Sequence, residues 1–265
     1  MRIMMKAVST MVMGVVGALA FAPVAQAAQC GNSAGGFDAW KASYAREIGG
    51  KFSQRAVNAL MSTSYAQATI NADRGQHSFH LSLPAFCQKR GCSAIAARGK
   101  KLKHQYSALF AQIESTYGVP PGPLLAIWGM ETGFGAVSGH QNMLSAVATL
   151  AYDCRRSDYF TDQLNAALTL VDRGVFSAGT IGSMHGEVGM TQFMPKTVLQ
   201  YGLGSLDSAQ GALMSTANYL KAHGWTRGAG YGPGEPNFGA LKEWNAASVY
   251  QQAIAKVGAE IDAAP

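Results

Sequence analysis

The sequence predicts a mainly α-helical domain. Apolar residues recur at helical spacing through most of the chain, alternating strand patterns are weak everywhere, and the connecting segments are rich in glycine. No internal repeat or low-complexity tract competes with that expectation once the amino-terminal leader is set aside.

The leader comes first. Arg2 and Lys6 precede an apolar run from Ala7 to Ala22 that closes with Ala25-Gln-Ala27, the pattern of a cleavable secretory signal over residues 1–27, with a retained membrane anchor as the alternative. A lipid anchor on Cys30 is disfavoured because Gln29, not a small residue, stands before it. Residues 28–265, roughly 240 of them, can bury a core as one domain with a small additional helical lobe. No other segment is apolar and long enough to cross a bilayer, so stable membrane insertion is not expected after the signal is removed.

Composition narrows the function classes. The formal charge of +6 falls by the charges of Arg2 and Lys6 to +4, which suits a partner with acidic groups. Nucleic acid is not expected, because no basic helix, zinc spacing or interleaved aromatic and basic strand is present. Lys89, Arg90, Arg98, Lys100, Lys101 and Lys103 read as a solvated face. Four cysteines in an exported chain can pair in three ways. The four residues between Cys87 and Cys92 suit a tight loop, which leaves Cys30 to meet Cys154. A cysteine metal site is disfavoured because no CxxC occurs, and His77 and His80 read as plain histidines rather than ligands.

Element by element, Tyr106, Leu109, Phe110, Ile113 and Tyr117 mark one helix from Leu102, ended by Gly118 and Pro120-Pro121. A second helix starts near Pro123. Leu124, Leu125, Ile127, Trp128 and Met130 leave it no polar face, so it should be buried on nearly all sides until Gly133 and Gly135 stop it. Met143 to Tyr152 forms the next. Another is opened by Ser157 or Asp158, carries Leu164, Leu168 and Val171, and closes at Gly174. The stretch from Gly179 to Gly189 reads as a loop, Pro195 as the first turn of a helix through Val198 and Tyr201, and Asp207 as the cap of a helix ending at His223-Gly224. Gly228 to Gly239 reads as an open loop, and Tyr250, Ile254, Val257 and Ile261 line one face of the last helix.

Glu131 is the one charged residue between Pro123 and Gly135. Burial disfavours the ionised carboxylate, so a Glu in this setting can keep its proton near neutral pH and donate it to a leaving group. The alternative is a helix-end carboxylate pointing into solvent. Arg155-Arg156, the Ser183 to Pro195 block, and Trp244-Asn245 with Tyr250 supply forks, hydroxyls, amides and rings that suit sugars and carboxylates.

Ile127-Trp-Gly-Met-Glu-Thr-Gly-Phe-Gly135, Ala148-Thr-Leu-Ala-Tyr-Asp-Cys-Arg-Arg156 and Gly186-Glu-Val-Gly-Met-Thr-Gln-Phe-Met-Pro195 resemble the lytic murein transglycosylases of the membrane-bound lytic transglycosylase B type. So do Ala217-Asn-Tyr-Leu220, Gly224-Trp225 and Leu241-Lys-Glu-Trp-Asn245, in the expected order. The resemblance implies a lysozyme-like, soluble lytic transglycosylase-like helical domain with a loop-rich cleft. It implies cleavage of the β-1,4 bond between N-acetylmuramic acid and N-acetylglucosamine in periplasmic peptidoglycan, with a 1,6-anhydro end and no cofactor. Glu131 would be acid and then base, which fits a lone carboxyl because a glycoside hydrolase ordinarily needs two. Ser183 and Gln192 would contact the sugar, Arg155 and Arg156 the muramic or peptide carboxylates, and Asn245, Tyr219 and Tyr250 would line the cleft.

Glu187 reads as loop structure rather than a second catalyst. Many members of the family insert an acidic, calcium-binding-like loop where this chain has only Tyr201-Gly-Leu-Gly-Ser-Leu-Asp207, so no metal is expected. The rival readings are a lysozyme-like muramidase and a non-catalytic wall-binding protein.

Overall fold

The computed structural model describes residues 29–75 and 81–264; the leader, His77 and His80 lie outside them. After a 3-10 turn at Ala34–Gly36 the chain builds α1 (Phe37–Ile48), α2 (Gln54–Met61), α3 (Gln67–Arg74), α4 (Leu83–Arg90), α5 (Cys92–Gln105), α6 (Ser107–Tyr117) and α7 (Pro121–Thr132). There follow β1 (Gln141–Asn142), α8 (Met143–Tyr152), α9 (Ser157–Asp172), β2 (Ile181–Gly182), α10 (Pro195–Tyr201), α11 (Ala209–Ala222), α12 (Phe238–Trp244) and α13 (Ser248–Asp262). The architecture is mainly α. The two short strands pair antiparallel, with Gln141 opposite Gly182.

Two apolar cores organise these helices. One gathers side chains from α4 to α7 and α11 to α13, the other from α1 to α3 and α8 to α10. Tyr219 and Trp244 pack against both, so the seam between the cores is aromatic. α7 is the centre of the first core: Gly122 through Met130 are all buried, and α13 and α5 pack along it. An apolar helix without a polar face has no stable place except such an interior.

Both disulfides join regions that frame this arrangement. Cys30–Cys154 pins the amino-terminal segment beside the end of α8, where Gly31 N also donates to the Tyr152 carbonyl at 2.9 Å. Closing a 124-residue separation limits the unfolded chain by about 4 to 5 kcal/mol in the chain-entropy account. Cys87–Cys92 ties the last turn of α4 to the first turn of α5.

Local differences from the sequence expectations have physical causes. The single helix expected from Leu102 is two, because Tyr106 leaves the helical region (φ −106°, ψ 26°) and sends its ring 6.1 Å from that of Trp128. The cap of α11 is Ser208, not Asp207: the Ser208 hydroxyl accepts from Gly211 N at 3.1 Å. The expected loop from Gly179 contributes β2. The expected open loop before Gly239 is fastened by the Asn237 side chain, which accepts from Thr226 N at 2.7 Å and donates to the Thr226 and Ala229 carbonyls, and α12 begins at the next residue.

Close packing at α7 generates a prediction. A Cβ at Gly129 would lie 2.3 Å from Ile95 Cγ2 and 2.8 Å from the Phe134 ring. Gly→Ala ordinarily favours a helix by about 1 kcal/mol, but overpacking a buried site costs about 1 to 3 kcal/mol. Gly129→Ala should therefore destabilise the protein by up to about 2 kcal/mol, read as a lower urea midpoint with unchanged m.

Candidate active site

Glu131 stands one residue from the end of α7, where Gly133 (φ 59°) turns the chain out of the helix. The turn is bolted down: Thr132 Oγ1 donates to the Met190 carbonyl at 2.6 Å and accepts from Gly135 N at 2.9 Å. That bond joins the end of α7 to the segment 186–195. There Val188 and Phe193 exchange both backbone bonds at 2.9 Å, making a tight hairpin tip. Among the described residues only Phe134 (φ 63°) and Gln192 (φ 57°) hold a left-handed backbone without being glycine. Strain of this kind persists where surrounding structure over-determines it, and functional sites concentrate it.

The Glu131 carboxyl is gripped from one side. Tyr250 OH donates to Oε1 at 2.6 Å and Trp244 Nε1 donates to the same oxygen at 3.2 Å. No side chain among the described residues bonds Oε2. With Oε1 accepting two bonds, a neutral carboxyl carries its hydrogen on Oε2. Burial pushes this carboxyl up from 4.5 to about 7; the Tyr250 and Trp244 bonds and the Arg90 charge pull down, and the Glu187 charge pushes further up. Burial, then the adjacent Glu131, holds the Tyr250 phenol well above 10, so it remains a donor. The solvent-pointing alternative for Glu131 fails on this geometry.

The other sequence-selected residues divide between contact and support. Tyr250 meets Glu131 directly. Asn245 Oδ1 accepts from Ala247 N at 2.9 Å and its carbonyl accepts from Gln251 Nε2 at 2.7 Å, so Asn245 makes the α12–α13 turn that brings Trp244 and Tyr250 onto one carboxylate oxygen. Tyr219 does not reach Glu131. Its hydroxyl donates to the Glu243 carbonyl at 2.7 Å, and its ring stacks on His223 and stands edge-on to Trp244 at 5.3 Å.

Ser183 Oγ donates to Glu187 Oε2 at 2.7 Å and accepts from the backbone of His185 and Glu187, both at 3.1 Å. Glu187 is thus the brace of Ser183. Gln192 Nε2 donates to the Gly189 carbonyl at 2.9 Å, and among the described residues no group donates to its amide oxygen. Arg155 and Arg156 both pair with Asp73, which is 2% exposed, while their own side chains stay 45% and 40% exposed. Two guanidinium groups on one carboxylate leave a net positive face.

Sequence reasoning named Trp244 only as a ring suited to sugars and missed its bond to Glu131, and it missed Asp73 and the role of Glu187. Trp244 was within reach as the neighbour of Asn245 in a quoted motif; Asp73 carried no signal, because its partners lie 82 and 83 positions away. In the basic cluster Lys89, Arg90, Arg98 and Lys101 are exposed, as a solvated face should be, but three of its members also make specific contacts. Arg90 Nη2 donates to the Met130 carbonyl at 2.6 Å, Arg98 lies over the Phe134 ring, and Lys103 bonds carbonyls at the end of α13, so these three are tied into the fold. No cluster of three or more metal-ligating side chains occurs among the described residues.

Ionisation of Glu131 must also register in stability. At about 1.4 kcal/mol per pH unit, moving the carboxyl from 4.5 to about 7 makes charging it cost on the order of 3 kcal/mol. The folded chain then binds more protons than the unfolded one between those pH values, so stability falls as pH rises through that window. Glu131→Gln removes this loss. Its melting temperature should match wild type near pH 4.5 and exceed it increasingly up to pH 8; parallel curves would mean an unperturbed carboxyl.

The profile of the Transglycosylase SLT domain matches residues 36–234. Over 150 residues the chain is 35% identical to the membrane-bound lytic murein transglycosylase B of Escherichia coli, covering 51% of this chain and 42% of that protein. The chain thus spans less than half the length of that curated relative. SltB3 from Pseudomonas aeruginosa, solved in complex with NAG-NAM-pentapeptide, superposes with a TM-score of 0.78 at 24% identity, over 86% of this chain and 80% of that one. The Escherichia coli lytic transglycosylase SLT35, solved in complex with bulgecin A, gives 0.74 at 23%, over 89% and 96%. Likeness at these identities shows a shared fold.

Proposed function

Because the chain belongs to the Transglycosylase SLT domain family, we propose that it is a peptidoglycan lytic transglycosylase with Glu131 as its one acid and base. The observation that carries this reading is the buried Glu131 carboxyl, raised to about 7, with two donors on Oε1 and Oε2 left to the substrate. A group poised near neutral pH is effective in both directions of proton transfer.

In the reaction, Glu131 Oε2 gives its proton to the N-acetylglucosamine O4 as the bond from O4 to the muramic C1 breaks. The muramic 6-hydroxyl then bonds to C1 and surrenders its proton to the Glu131 carboxylate. The products are a free 4-hydroxyl and a 1,6-anhydro end, the enzyme regains its starting proton, and no water is consumed. Tyr250 and Trp244 hold Oε1 and stabilise the transient carboxylate between the two steps.

The remaining residues take roles that their surroundings support. The Gln192 amide oxygen accepts from the sugar, and Ser183, fixed by Glu187, meets the same ring. The exposed positive face of Arg155 and Arg156 takes lactyl or peptide carboxylates. Asn245 and Tyr219 act by holding the α12–α13 turn and Trp244. Residues 28–265 form one catalytic domain whose smaller lobe borders the cleft, exported to the periplasm by the 1–27 segment; paired cysteines fit that oxidising compartment. No helix among the described residues is long and apolar enough to cross a membrane. The reaction as written needs no cofactor.

Digestion of sacculi tests the activity. Wild type should release muropeptides one water lighter than muramidase products, and Glu131→Gln should lose about a hundredfold or more of the rate. Hydrated products, or turnover in the variant near wild type, would contradict the proposal. Glu187→Gln should keep activity within about tenfold, since an amide still accepts from Ser183; a loss as deep as that of Glu131→Gln would favour a two-carboxylate hydrolase.

A further inference from the structure

We propose that Arg90 is a positioning residue for Glu131, braced by the Cys87–Cys92 disulfide, an inference that rests on the acid and base reading of Glu131. Arg90 is the last residue of α4, and Gly91 (φ 71°) turns the chain directly into α5. The disulfide closes the loop around that turn, so Arg90 and its neighbours form a small covalent ring beside the end of α7.

From this ring Arg90 Nη2 donates to the Met130 carbonyl at 2.6 Å. Met130 directly precedes Glu131 and lies in the last turn of α7, where carbonyls lack a partner within the helix and the backbone dipole favours a cation. The same helix α4 reaches the other half of the acid's grip. Phe86, buried at 1%, sets its ring edge-on to Tyr250 at 5.9 Å. One short helix thus touches the carbonyl before Glu131 and the ring of its hydrogen-bond donor.

Four groups from four parts of the fold face the carboxyl: Tyr250 of α13, Trp244 at the end of α12, Glu187 from the 183–193 segment and Arg90 from α4. Of these Arg90 is the cation, and its charge opposes that of Glu187. Its contacts are with the Met130 carbonyl and the Tyr250 side chain, not with the reacting oxygen, so it acts on the reaction through Glu131 and its donor.

Arg90→Gln keeps a donor but not the charge. It should raise the ionisation midpoint of Glu131 by about half a pH unit, move the alkaline limb of the pH profile upward by the same amount, and lower kcat about tenfold with KM nearly unchanged. Arg90→Lys restores the midpoint while recovering kcat only in part, because a lysine lacks the planar fork. Replacing Cys87 and Cys92 together by Ser should shift the midpoint in the same direction as Arg90→Gln. A merely structural Arg90 would lower the melting temperature and leave every midpoint in place. The Glu131 midpoint is read by isotope-edited infrared titration, which needs no turnover. An unmoved midpoint and wild-type kcat in Arg90→Gln would overturn the inference, whereas a wild type that forms no anhydro ends would sink the reading of Glu131 instead.

Discussion

The desolvation of one carboxyl group governs this structure. α7 is apolar around its whole circumference, and the cheapest place for such a helix is the middle of a core. Its one acid sits where the helix leaves that core. Water is partly stripped from Glu131, and the two hydrogen bonds that could compensate fall on a single oxygen. The balance leaves a carboxyl raised to about 7 rather than a permanently charged or permanently neutral one. Full burial would freeze the proton and full exposure would release it.

Much of the surrounding architecture serves that balance. The two donors come from opposite ends of the α12–α13 turn, which Asn245 shapes through its side-chain and backbone bonds. Trp244 also packs against both cores, so its indole is fixed by the seam as well as by its own helix. Across the cleft, the bond from Thr132 to the Met190 carbonyl sets the distance between the acid and the hairpin bearing Gln192. Backbone strain at Phe134 and Gln192 falls on the two segments joined by that bond.

Sequence reading reached the parts of this picture with strong periodicity or short-range chemistry. α7, α8 and α13 were legible because their apolar residues repeat without ambiguity, and Glu131 stood out because nothing else near it carries charge. No element before Leu102 was read from the sequence, and eight-residue helices such as α2, α3 and α4 offer little more than two turns of pattern. The break at Tyr106 was hidden because both halves keep one apolar register. At the site, the role of Arg155 and Arg156 was read from residue type alone, and their attachment to Asp73 depends on a fold that brings α3 against α8. Trp244 was visible as part of a motif, but only the α12–α13 turn reveals that its indole points at the acid.

All of these roles depend on Glu131 holding a proton where an ordinary glutamate has lost it. The decisive measurement is the carbon-13 chemical shift of the Glu131 side-chain carboxyl in wild-type protein, followed from pH 3 to pH 9. A single transition centred near 7 is the result that burial requires. A midpoint in the ordinary glutamate range, near 4.5, would mean that the carboxyl is solvated after all, and the account of a proton kept in place by its apolar surroundings would be wrong.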